Sequence, residues 1–117
     1  MNLNDLRVYN HANEIGDMVW EIVEKWDYFK KDTLGKQVTR SADSISANIA
    51  EGFGRYHYKE NKNFLYYARG SAYETLNWVS KAKRRKIITE NKSKVLTIKI
   101  EELLISLNAY IKSIGSK

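Results

Sequence analysis

The chain has 117 residues with no cysteine and no proline, which fits one domain and excludes a disulfide scaffold and any thiolate nucleophile or metal ligand. Its 43% hydrophobic and 29% charged content is that of a folded, water-facing domain, and no apolar run approaches the roughly 20 residues of a membrane span. The net charge of +6 is unevenly spread: residues 1–51 carry 6 Lys/Arg against 9 Asp/Glu, a net of −3, whereas residues 52–117 carry 14 against 5, a net of +9.

Without proline, long helices meet no breaker, and four stretches show helical periodicity. The first is expected over Asp5 to Phe29, where Val8, Ala12, Ile15, Val19, Ile22 and Trp26 step by four and three, with Asn4 or Asp5 as the cap. The second is expected from Thr33 to Gly54, with Leu34, Val38, Ser41, Ile45, Ile49 and Gly52 on its inner stripe. Asp32 would cap its start, and Gly52 and Gly54 mark its end. The third spans about Glu60 to Lys86, with Phe64 or Leu65, Ala68, Ala72, Leu76 or Thr75, Val79 and Ala82 inward. The fourth spans about Glu90 to Ile114, with Leu96, Ile100, Leu103, Leu104, Leu107, Ile111 and Ile114 as a broad apolar face and Gly115 as a stop. Lys86-Ile87-Ile88-Thr89 reads as the turn between the last two. Four amphipathic helices with short connections pack as an antiparallel up-down four-helix bundle, an all-α fold in a single domain over residues 1–117.

The third helix carries a second line, Tyr67, Ser71, Glu74 and Trp78, about 100° round from its core stripe. Ile98, Ile105 and Ala109 repeat this weakly on the fourth helix, and Tyr9 and Trp20 lie off the main stripe of the first. Exposed aromatic lines of this kind suit an interface, so Tyr67, Trp78, Ile98 and Ile105 are candidate oligomer contacts, against the plainer reading that they edge an ordinary core.

Helix two bears short polar side chains at Gln37, Arg40, Ser44, Asn48 and Glu51, and Ser71 and Glu74 on helix three could join them in a hydrogen-bonded network that sets helix register. Reading Glu51 and Glu74 as a paired acid and base is the enzyme alternative. No nucleophile motif or glycine-rich phosphate loop stands beside them, so no catalytic residue is assigned. His11 and His57 are the only histidines and have no Glu-x-x-His or His-x-x-x-His spacing, so neither a metal nor another cofactor is expected.

The basic half implies a polyanion such as RNA or DNA, set against a merely solubilising charge. Arg55-Tyr56-His57-Tyr58-Lys59 interleaves cations and rings, which suits phosphate and base together. With Lys62, Arg69, Lys81, Lys83, Arg84, Arg85 and Lys86, these residues read as one basic surface. The first residues show no basic segment leading into an apolar run, so no signal peptide is read and a cytoplasmic location is expected.

The run from Arg40 to Arg55, with Asn48-Ile49-Ala50-Glu51-Gly52 at its heart, resembles the signature of the bacterial 23S rRNA intervening-sequence, or S23, proteins. Ala68-Arg69-Gly70-Ser71-Ala72-Tyr73-Glu74 is similar to that family's Ala-x-Gly-Ser-x-x-Glu run, and Asp5-Leu6-Arg7-Val8-Tyr9 followed by Ala12 is similar to its opening. The likeness covers nearly the whole chain. It marks Asn48, Glu51, Gly52, Gly70, Ser71 and Glu74 as signature positions, the glycines for close backbone approach and the others for bonds between helices. Where relatives often carry proline, this chain reads Phe29-Lys30-Lys31-Asp32 and Ile45-Ser46-Ala47, so the start and bend of helix two are expected to differ. The resemblance implies assembly into a ring-shaped homopentamer. A related branch, the accessory variability determinant of diversity-generating retroelements, binds nucleic acid and partners a reverse transcriptase. The expectation drawn is a non-catalytic bundle that binds nucleic acid or scaffolds a nucleoprotein complex, with a protein-interaction scaffold as the alternative.

Overall fold

A computed structural model describes residues 1–115. A short 3-10 turn, Leu3–Asp5, leads into helix α1 (Arg7–Val23). Neither predicted cap serves it. Leu6 occupies the N-cap without a side-chain bond, and the Asp5 carboxylate instead accepts the backbone N–H of Asn2 at 3.0 Å. The stripe Val8, Ala12, Ile15 and Val19 is buried as read, but Val23 completes it, with Ile22 and Trp26 half-buried at its edge.

The first connection lies earlier than expected. α1 stops at Val23, because the N–H groups of Lys25 and Trp26 turn back three residues to Ile22 and Val23. Asp27, not Asp32, caps the next turn of helix, its side chain accepting the Lys30 N–H at 3.0 Å. That single turn, Tyr28–Lys30, and a π-helical stretch, Lys31–Gly35, run straight into helix α2 (Lys36–Phe53). Asp32 lies within the π turn and pairs with Lys36 at 2.8 Å. Gly35 is required there, since a Cβ would stand 2.9 Å from a Val23 methyl. All six predicted inner positions of helix two are buried.

Helix α3 (Tyr58–Arg84) starts two residues before the predicted Glu60, so Tyr58 and Lys59 belong to its first turn. Of the alternatives on its stripe, Leu65 and Thr75 are buried, while Phe64 and Leu76 are half-buried. α3 ends in a Schellman arrangement: Ile87 N–H donates to the Ala82 carbonyl at 2.8 Å and Lys86 N–H to Lys83 at 3.0 Å. Lys86 therefore takes φ 59, the left-handed conformation usually left to glycine. Thr89 caps helix α4 (Glu90–Ser113) by accepting the Lys92 N–H at 3.1 Å, and Gly115 comes after α4 at φ 67.

Each helix packs on two neighbours: α1 on α2 and α4, and α3 on α2 and α4. Two apolar clusters fill the rod. One joins Val8, Ala12, Ile49, Leu65 and Ile111, the other Val23, Val38, Val79 and Leu96. The start of α1 thus shares an end with the start of α3 and the finish of α2 and α4, which is up-down antiparallel packing. The extents are 48 × 22 × 20 Å. Among the described residues, no helix is long and apolar enough to cross a membrane.

Candidate nucleic-acid interface

The polar faces of α2 and α3 meet in a chain of side-chain bonds. Thr75 hydroxyl donates to Ser41 Oγ at 2.9 Å inside the core, and Ser44 donates to Ser71 Oγ at 2.7 Å nearer the surface. Arg40 pairs with Glu74, whose carboxylate also accepts the Trp78 indole N–H at 3.0 Å. Arg40 further donates to Gln37 at 3.2 Å. Five positions of the expected network, Gln37, Arg40, Ser44, Ser71 and Glu74, are thereby joined. Ser41 and Thr75 were missed as a bonded pair, because Ser41 reads as an ordinary core position until its partner helix is known.

Among the described residues, Asn48 and Glu51 make no bond between helices. Asn48 donates to the Ser44 carbonyl at 2.8 Å on its own helix, and Glu51 pairs with Arg55 at 3.0 Å across one turn. Short polar side chains readily bond the preceding turn, which is what Asn48 does. Glu51 and Glu74 therefore serve separate arginines and share no partner.

The two signature glycines also part company. At Gly52 a Cβ would lie 2.7 Å from Asn61 Oδ1 and 3.0 Å from the Asn61 carbonyl, so α2 touches α3 there only because the residue is glycine. At Gly70 a Cβ would meet nothing within 4 Å. Its side faces outward among the exposed rings of Tyr66, Tyr67 and Tyr73, so no close approach among the described residues explains it.

Of the candidate oligomer contacts, Tyr67 is 58% exposed, Ile98 44% and Ile105 73%. Trp78 is half-buried and packs on the second apolar cluster. Its indole N–H is engaged by Glu74 at 3.0 Å.

The cations read as one surface occupy different places. Arg55 bridges Glu51 at 3.0 Å and Glu60 at 3.7 Å, with its guanidinium 4.7 Å from the Phe64 ring centre. Arg69 donates to Asn108 at 2.9 Å and lies over Tyr66, joining α3 to α4. Both arginines are thus engaged inside the chain. Lys59 and Lys62 stand at the start of α3, whereas Lys81, Lys83, Arg84, Arg85 and Lys86 stand at its finish. From Lys59 to Lys83, 24 helical steps separate the groups by about 36 Å.

At the far end, Lys81, Arg84 and Arg85 line a hollow of about 160 Å³. Among the described residues, no ion pair engages the side chains of the five cations from Lys81 to Lys86. Lys92 and Lys94 open α4 on the same end and add to this charge. They were missed because their helix read only as an apolar face. Among the described residues, no group of three or more His, Asp or Glu is placed to hold a metal ion.

Residues 4–109 match the profile of the 23S rRNA-intervening sequence protein family. The fold is similar to the crystal structure of a protein of unknown function from the S23 ribosomal protein family of Bacteroides thetaiotaomicron, at a TM-score of 0.81 and 24% identity, covering 91% of this chain and 99% of that one. No curated protein matches the chain.

Proposed function

Starting from the 23S rRNA-intervening sequence protein family, to which the chain belongs, we propose that this protein is a non-catalytic, self-associating bundle that grips nucleic-acid phosphates with one end. The observation that carries this reading is the unpaired cluster Lys81, Lys83, Arg84, Arg85 and Lys86 around its hollow. Cations without acidic partners keep their full charge for an incoming polyanion, and a hollow lets several converge on one stretch of backbone. Contacts of this kind position phosphates and carry little sequence information. Arg55 and Arg69, occupied within the chain, serve as structural supports in this reading.

The test is fluorescence anisotropy with structured RNA, single-stranded DNA and duplex DNA across a salt series. Log affinity is expected to fall linearly with log salt, and Arg84→Glu with Arg85→Glu to weaken binding on the order of tenfold or more at low salt. Affinity unchanged by that double reversal would remove this surface from the reading.

The exposed Tyr67, Ile98 and Ile105 support a second reading, a scaffold that docks protein and uses charge for that contact. A protein complex that survives nuclease treatment and high salt would favour it.

A further inference from the structure

The turn before α3 differs in kind from the cationic hollow. Tyr56 is 87% exposed and Tyr58 68%, and the two rings are supported differently. Arg55, clamped by Glu51 and Glu60 and lying over Phe64, anchors the turn at one side. The Tyr58 ring rests against Gly115, where a Cβ would stand only 3.1 Å away. Tyr56 meets His57 edge to face, ring centres 5.1 Å apart. Arg55 and its two carboxylates together carry a net charge of −1, so the cations left for a phosphate here are Lys59 and Lys62, and Tyr58 and Lys62 share one face of the first turns of α3. An exposed ring held in place, as Tyr58 is, loses little freedom when a flat partner stacks on it, and Tyr56 offers a second open face beside it. The hollow at the other end is lined by cations alone.

We propose that this turn is a second, separate site, which stacks unpaired bases of a single-stranded nucleic acid on Tyr56 and Tyr58 while Lys59 and Lys62 hold the flanking phosphates. The proposal rests on the nucleic-acid reading above. The two ends are about 36 Å apart, close to one turn of duplex, so a short strand reaches one of them only. The end at Arg84 and Arg85 takes backbone of any form, and the tyrosine end requires bases free of pairing.

The full chain is tested with hexamers of uridine and of thymidine, each carrying one 2-aminopurine, and with a short duplex. Wild-type protein is expected to change the 2-aminopurine fluorescence on binding. Tyr56→Ala is expected to lower hexamer affinity about tenfold, the size of one stacked base, and to leave duplex affinity unchanged. Tyr58→Leu, which keeps bulk against Gly115, is expected to act alike. Arg84→Glu with Arg85→Glu should do the reverse, weakening the duplex far more than the hexamer. Tyrosine-dependent binding of either hexamer supports the proposal, and the ratio of the two assigns the preferred sugar. Hexamer binding indifferent to both tyrosines, or abolished by the arginine reversal, overturns it. If duplex binding depends on the arginines and no hexamer effect appears, this site fails and the functional reading stands. If wild-type protein binds no probe, both fall.

Discussion

At the scale of single residues, Gly52 and two carboxylates make the sharpest claims. A methyl at Gly52 would press on the Asn61 backbone oxygen at 3.0 Å and the Phe64 Cβ at 3.1 Å, and neither is a flexible tip. Gly52→Ala is expected to cost about 1–3 kcal/mol, read from urea denaturation. Glu14 and Asp43 have opposite pH signatures. Lys99 hydrogen-bonds Glu14 and holds its carboxyl below the ordinary range, so the stability gained is present above the unfolded value and lost as pH falls through the folded one. Asp43 is pushed up, first by burial and then by the charge of Asp17. Its penalty is therefore full above its folded pKa and fades as pH falls from there through the unfolded value. Glu14→Gln is expected to flatten the acid limb of stability below about pH 4.5. Asp43→Asn is expected to stabilise at neutral pH, with the gain disappearing toward acid. Thermal unfolding across pH separates the two.

Between elements, the α2–α3 seam is closed by small side chains, which let hydroxyl meet hydroxyl across the packing. Ser41 and Thr75 satisfy each other in the core, and Arg40 with Glu74 closes the rim. The rim pair is largely open to water, so screening limits it. A double-mutant cycle with Arg40→Ala and Glu74→Ala is expected to return a coupling of about 0.2–1 kcal/mol, shrinking in high salt. Glu74→Ala also frees the Trp78 indole N–H, and its fluorescence should shift with the loss of that bond. At the end of α3, Lys86 holds a left-handed conformation that the Schellman bonds impose. Lys86→Gly is expected to raise stability by up to about 1 kcal/mol, after the extra entropy glycine loses on folding. The same substitution removes one of the five unpaired cations, so binding and stability are expected to move in opposite directions.

For the whole molecule, charge and apolar exposure are divided along a 48 Å rod. One end gathers cations without partners, while Tyr67, Gly70 and Tyr73 of α3 and Ile105 of α4 are exposed along its sides. A glycine inside an exposed helix costs about 0.5–1 kcal/mol relative to alanine. Open space beside Gly70 leaves that cost without return inside the chain. Gly70→Ala is therefore expected to stabilise the separate chain by about that amount and, if copies meet on this face, to weaken their association. Light scattering on dilution reads the second effect and thermal unfolding the first. If copies meet through Ile105, Ile105→Glu is expected to lower that association without lowering chain stability, since Ile105 is 73% exposed.

The sequence by itself determined the four helices, most of their inner stripes and the family, because spacing along one helix reports which side is apolar and proline was absent to interrupt it. It also marked Arg40, Ser44, Ser71 and Glu74 as polar positions beside the core. Only tertiary structure decided which of these meet, since a hydroxyl facing the core looks alike whether or not Thr75 stands opposite Ser41. The first connection was misplaced for a related reason: the apolar spacing runs on through Trp26, and the side chain that ends the run, Asp27, is revealed as a cap by its bond to the Lys30 N–H. The basic surface was divided by length alone. Lys59 and Lys83 lie in one helix and in the basic half of the sequence, but 1.5 Å of rise per residue carries them to opposite ends of the bundle.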